Sequence, residues 1–453
     1  MDQLSSEQAR ITTNWAQYQR EIYGALRPPQ FSTDPQVWEQ QAAKKLAGNK
    51  FWYIAGSANQ GLTDRANREA FARYRLIPRM LAGASSPRDL SIELFGKKFP
   101  SPLLAAPIGV QSIAHASGEL GSAVAVARLN IPFVLSTASN TNLEDIADAH
   151  ERASVDSAAV STSSLNGFAK PERWFQLYWP KDDEVTISLL KRAQESGFTT
   201  LVITLDTFTL GFRPADLDRA YLPFVWGEGC AIGFNDPVFN SIYVKFQASG
   251  PQLSLPDKFK LLLQRSRGNI GLFVWILCNH RKVFKSLAWI SQAFSGINRT
   301  WQDLELIKNH WHGPIVLKGI QSVQDARLAV EHGIDGIVVS NHGGRQVDGA
   351  VASLNALANI TADDTVKQSN MTILFDSGIR TGSDVVKALA LGANAVLIGR
   401  PYMYGLALGG EQGVQHVFKS LLAEVDITMG NIGKSNIAEL TRDILDIEKS
   451  NNA

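Results

Sequence analysis

From Leu103 onward the chain alternates short, β-branched apolar runs with longer amphipathic stretches. Eight runs stand out in order: LLAA, FVLS, FQLY, LVIT, IVLK, IVVS, ILFD and VLIG. Each is apolar at consecutive positions, as a strand covered on both faces of a parallel sheet must be. The stretch between IVLK and IVVS, SVQDARLAVEHGID, instead carries the period of an amphipathic helix. Repeated strand and helix units predict an α/β fold with a parallel sheet, and eight of them predict a closed (β/α)8 TIM barrel. The polar residues that end or directly follow the runs support that choice: Pro107, Ser136, Gln176 with Tyr178, Thr204 with Asp206, Lys318, Ser340 with His342, Asp376, and Gly399 with Arg400. A doubly wound sheet gathers its ligand at one switch point, whereas a barrel builds its site from the carboxyl ends of many strands.

Around the barrel the pattern changes. Residues 1–100 read as a helical extension, 101–440 as the barrel with insertions at about 150–171 and 211–300, and 441–453 as a tail. The first insertion, Ser/Ala-rich with little apolar periodicity, is expected to be a mobile surface segment. The second separates the fourth strand from the fifth and is expected to cover the catalytic face as a lid, or, over residues 270–294, to add a helix packed on the barrel.

Composition narrows the partners. Forty-four Lys plus Arg nearly balance 43 Asp plus Glu, so no bulk charge draws the chain to nucleic acid or to an anionic membrane. Two cysteines in no metal-ligand spacing give neither a disulfide framework nor a metal site. The first residues lack the pattern of a secretory signal and the last are not a peroxisomal Ser-Lys-Leu, which makes the cytoplasm the expected compartment. The longest apolar stretch, IGLFVWILC, is too short to span a bilayer.

The chemistry concentrates after the last four runs. Asp376-Ser377-Gly378-Ile379-Arg380 and Gly399-Arg400 combine glycines that admit close backbone approach with arginines able to grip phosphate oxygens, at the two strand ends where barrels commonly bind phosphate. Lys318 ends an apolar strand, and His342 sits between Asn341 and a Gly-Gly pair that leads to Arg345. The block SNHGGRQVDG, with VLKGIQ, FQLYWP, TLDTFTLGFRPADL, LFDSGIRTGSDVVKALALGANAV and IGRPYMYG, resembles the FMN-dependent 2-hydroxy-acid oxidase and dehydrogenase family over residues 51–440, apart from the two insertions.

That resemblance implies FMN as cofactor and a role for each residue. The phosphate would lie on Asp376 to Arg380, Gly399 and Arg400. Pro107, Ile108 and Gly109 would pass the flavin with their backbone; Ser136, Gln176, Thr204 and Ser340 would bond its polar edge; Lys318 would place a positive charge beside it. Arg213 and Arg345 would hold the substrate carboxylate with Tyr53 and Tyr178. His342 would be the base and Asp206 its orienting carboxylate. The implied reaction oxidises an L-2-hydroxy acid to the 2-oxo acid with oxygen as acceptor. Gly109, the GFRPADL form around Arg213 and the ending RPYMYGLALGGEQGV resemble the lactate 2-monooxygenase branch, which turns lactate into acetate, CO2 and water. Two alternatives stay open: an oxidase releasing keto acid and H2O2, and an FMN-binding protein disabled by the lid insertion. The resemblance further implies a homotetramer or octamer.

Overall fold

The structure, a computed structural model, describes residues 14–159, 167–249 and 270–448. Eight parallel strands close into a barrel: β1 Leu103–Ala105, β2 Phe133–Ser136, β3 Arg173–Tyr178, β4 Leu201–Thr204, β5 Ile315–Ile320, β6 Gly336–Val339, β7 Thr372–Phe375 and β8 Ala395–Ile398. Every one of the eight apolar runs falls on one of these strands. Register aligns Tyr178, Thr204 and Lys318 side by side at the carboxyl ends of β3, β4 and β5. The sequence-level expectation of a TIM barrel is met.

Alternation along the strands divides the core in two. Leu104, Val134, Trp174, Val202, Val316, Val338, Leu374 and Leu397 fill the barrel interior, while their neighbours in sequence face the surrounding helices. The amino-terminal end of the barrel is plugged by a hairpin, Ile92–Leu94 with Lys97–Phe99, whose Ile92, Leu94 and Phe99 join the interior cluster. Its two-residue turn places Phe95 at φ +51° and Gly96 at φ +73°, the mirror-image turn that matches strand twist. Closure at this end leaves the carboxyl end as the open face.

Ahead of the barrel, the helices Pro35–Lys45 and Gly48–Ala55 bring Tyr53 to that open face. The first of them starts with Asp34 as cap and proline at its first position. At the other end of the chain, Leu445–Ile447 pairs antiparallel with Tyr74–Leu76, so this part of the tail is fixed to the extension.

The insertions differ from expectation in part. The Ser/Ala-rich stretch is helical as far as Ala159, at the end of helix Leu143–Ala159; its alanines are strong helix formers, which a reading based on low hydrophobicity undervalues. Residues 160–166 lie outside the described residues. In the second insertion, two longer helices, Pro237–Ser249 and Ile270–Ala293, flank residues 250–269, which also lie outside them. Trp289 of the longer helix packs against Phe239 at 5.1 Å and lies over Gly233, where a Cβ would stand 2.1 Å from its ring. The aromatic stretch is therefore a helix packed beside the barrel, and its end reaches the open face. Among the described residues no helix is long and apolar enough to cross a membrane.

Candidate active site

His342 follows β6 in a left-handed turn, with φ of +58° at His342, +65° at Gly343 and +74° at Gly344. Such a backbone is costly for a residue with a side chain, and neighbours hold it in place. Ser340 Oγ accepts from the His342 amide at 3.0 Å, Ser377 Oγ from Gly343 at 2.9 Å, and Asn341 Oδ1 from Gly344 at 3.1 Å. A Cβ at Gly344 would come within 2.6 Å of the Asp64 amide, so the turn also needs glycine for space.

The ring Nδ1 lies 2.8 Å from Asp206 Oδ1 and 3.0 Å from the Thr207 hydroxyl. Burial pushes the Asp206 carboxyl up, but its interactions with His342, Lys318 and the Thr207 hydroxyl outweigh that and hold the group below the ordinary carboxylate range. An ionised carboxylate only accepts, so Nδ1 carries the proton and Nε2 keeps its lone pair. Burial lowers the His342 pKa below the ordinary histidine value; Asp206 opposes that shift, and Lys318 and Arg213 add to it. A lowered pKa favours the neutral imidazole.

Five cations share the site. Lys318 is buried, donates to Ser340 Oγ at 3.0 Å and faces Asp376 Oδ2 at 3.4 Å. Burial works against its charge, but Asp376 and Asp206 more than restore it and raise its pKa. Arg213 donates to the Arg345 carbonyl at 3.0 Å and to Gln346 Oε1 at 2.8 Å. Arg345 lies over the Tyr53 ring, 5.5 Å from its centroid, and donates to the carbonyl of Gly56 at 2.8 Å. Burial first, then repulsion from Arg213 and Arg400, brings its pKa down to about 9. Arg400 donates to the carbonyls of Gly343 at 2.9 Å and Gly56 at 3.0 Å, and Arg380 to that of Ile379 at 2.9 Å. Burial raises the Tyr53 and Tyr178 phenols, which stay protonated donors.

Several buried polar atoms here lack a partner in a way a flavin mononucleotide would supply. Gln176 Oε1 accepts from Ser136 Oγ at 2.9 Å, while its Nε2 and Arg380 Nη2 have no hydrogen-bond partner among the described residues. An amide donor suits the flavin's polar edge, and an unpaired guanidinium nitrogen at the ends of β7 and β8 suits phosphate. Helix Arg400–Asn431 begins at Gly399 without a side-chain cap among the described residues; Pro401 has no amide hydrogen and the Tyr402 amide donates to the Gly399 carbonyl at 3.1 Å, which leaves the Arg400 amide to face an anion. Gly109 runs so close to Ala138 that a Cβ would meet the Ala138 carbonyl oxygen at 2.4 Å. These residues fit FMN.

One cavity brings together most of the residues expected from the sequence: Pro107 to Gly109, Lys318, Asp376 to Arg380, Gly399 and Arg400 on one side, Tyr53, Tyr178, Arg213, His342 and Arg345 on the other. Ser136 and Ser340 stand behind that lining and accept from the amides of Ala138 and His342 in it, and Gln176 is bonded to Ser136. Asp206 and Thr204 line an adjoining cavity instead, with Thr207 shared between the two. Sequence reasoning missed Thr207, Phe224 and Phe294. Thr207 stood next to a paired aspartate, a signal within reach, whereas the two phenylalanines come from the insertion and carry no local mark.

The sequence profile of the FMN-dependent dehydrogenase family matches residues 42–447. The chain is 42% identical over 436 residues to an FMN-dependent alpha-hydroxy acid dehydrogenase of Penicillium citrinum, covering 95% of this chain and 96% of that one. It is 37% identical over 403 residues to an L-lactate oxidase of Lysinibacillus sphaericus, covering 89% of each. A solved mandelate oxidase structure superposes with a TM-score of 0.69 at 31% identity, over 92% of this chain and 98% of that one.

Proposed function

The chain belongs to the FMN-dependent dehydrogenase family and is an FMN-dependent 2-hydroxy-acid oxidoreductase; we propose that its substrate is L-lactate, its acceptor oxygen and its outcome that of a lactate 2-monooxygenase. The observation that carries this reading is the convergence of His342 with Arg213, Arg345, Tyr53 and Tyr178 in one cavity. Arg345 and Arg213 bind the substrate carboxylate, and Tyr53 and Tyr178 donate to its oxygens. His342 Nε2 takes the hydroxyl proton, and the Asp206 carboxylate stabilises the imidazolium that forms. Bound FMN supplies the acceptor for the hydrogen leaving Cα. Lys318 keeps a positive charge where negative charge gathers on reduction.

Retention of the keto acid until oxygen has reacted is what separates a monooxygenase from an oxidase. Phe224 and Phe294 from the insertion narrow the cavity next to Tyr178, which favours retention. The second reading, release of pyruvate with H2O2, draws on the similarity to an L-lactate oxidase. Adding L-lactate anaerobically to the yellow protein should bleach it; admitting oxygen should then yield acetate without free peroxide. Pyruvate and peroxide in equal amounts would select the oxidase, and an unbleached protein would exclude both. His342→Gln should keep FMN and lose bleaching.

A further inference from the structure

We propose that Phe294, at the end of the insertion's long helix, is a size filter that limits the substrate's side chain to a small apolar group such as methyl. This rests on the reading of the site as a 2-hydroxy-acid oxidase pocket. The Phe294 ring packs on Tyr178 at 5.0 Å between centroids and on Phe224 at 5.2 Å, and all three rings line the cavity that holds His342, Arg213 and Arg345. With the carboxylate held by the arginines and the hydroxyl by the base, the remaining substituent on Cα is left the apolar walls, and Phe294 takes up room there.

Its position is rigidly set. Two residues earlier, the Gln292 carbonyl accepts from the Lys181 amide at 3.0 Å and its side-chain Oε1 from Asp182 at 3.3 Å, which ties the helix to the loop after β3. Two residues later, the Gly296 amide donates to the Phe208 carbonyl at 3.0 Å, on the loop after β4. Arg299 then donates to the carbonyls of Pro180 at 2.8 Å and Lys181 at 3.1 Å. The main chain on both sides of Phe294 is thus clamped to the barrel rim, and its ring packs on Tyr178 and Phe224, so the wall it forms discriminates by shape.

The test compares anaerobic bleaching of the holoenzyme by L-lactate and by an aryl 2-hydroxy acid, (S)-mandelate, in wild type, Phe294→Leu and Phe294→Ala. Wild type should prefer lactate. The mandelate-to-lactate ratio of kcat/KM should rise about tenfold or more in Phe294→Ala, with a smaller rise in Phe294→Leu, as removal of pocket-wall atoms does in apolar specificity pockets. Binding of benzoylformate, followed by perturbation of the flavin spectrum, should tighten relative to pyruvate in the same order. If the alanine variant loses FMN, the leucine variant decides. An unchanged ratio, or a wild type that already prefers mandelate, would overturn the filter while leaving the oxidoreductase intact; bleaching by neither acid in wild type would remove the functional reading and the filter together.

Discussion

Asp206 is gripped on one oxygen only. Oδ1 takes His342 Nδ1 at 2.8 Å and the Thr207 hydroxyl at 2.7 Å, while Oδ2 has no hydrogen-bond partner among the described residues. Close packing sets its orientation instead, and Gly319 at φ +107° supplies it: a Cβ there would stand 3.0 Å from Oδ2. Gly319→Ala should push the carboxylate off the imidazole and slow lactate-dependent bleaching with FMN still bound; bleaching at the wild-type rate would show that Gly319 has no such part. Asp206→Asn keeps the shape but can present an amide donor to Nδ1, and should cut the reduction rate about 10²- to 10⁴-fold in anaerobic stopped flow. The pH profile follows from the sign of the His342 shift. In the proposed mechanism neutral His342 is the working form, and burial lowers its pKa from 6.5, so reduction should hold steady as pH falls through 6.5 and decline only below it. A decline already centred above 6.5 would contradict a buried neutral base.

At the scale of elements, helix Leu143–Ala159 carries a liability unrelated to the site. His150 is fully buried, both ring nitrogens lack partners among the described residues, and burial followed by the nearby Arg173 charge brings its pKa down to about 3. The unfolded chain binds this proton below 6.5 and the folded one does not until about 3, so stability is lost as pH falls across that window. Between pH 6.5 and pH 5 the loss comes to about 2 kcal/mol from this group. His150→Leu should flatten the acid side of a denaturant-midpoint profile; an equally steep fall in the variant would clear His150. The elements also explain what was legible. Strand ends could be read because an apolar β-branched run must stop where Lys318, Thr204 or His342 begins, and a barrel turns that stop into an address. Phe224 and Phe294 could not, because their place in the cavity depends on Trp289 seating on Gly233 and on Gln292 gripping the loop after β3. Those are contacts between distant segments, invisible to periodicity. The helix through Ala159 was lost for a different reason, since serine content masked alanine propensity.

For the whole molecule, the balance of 44 basic against 43 acidic side chains conceals a strongly uneven distribution. Arg213, Lys318, Arg345, Arg380 and Arg400 converge at one end of a barrel whose other end is sealed by apolar packing. Arg345 and Arg380 hold only backbone carbonyls and no carboxylate among the described residues, and burial lowers the pKa of each. Such unpaired buried cations weigh against folding until an anion arrives. The protein's stability should therefore be coupled to its ligands: FMN at 100 times its Kd contributes about 2.7 kcal/mol, a rise of a few degrees in Tm. Riboflavin, which lacks the phosphate, should recover less of the Tm lost on stripping FMN, at any concentration below its own saturation. Arg380→Met makes the coupling decisive. Replacing a buried, unpaired guanidinium with an apolar side chain of similar length should raise the Tm of the stripped protein above that of stripped wild type, while weakening FMN binding and shrinking the FMN-induced rise. A stripped variant less stable than stripped wild type would mean that Arg380 supports the fold directly, and that the cationic face is not held in readiness for phosphate.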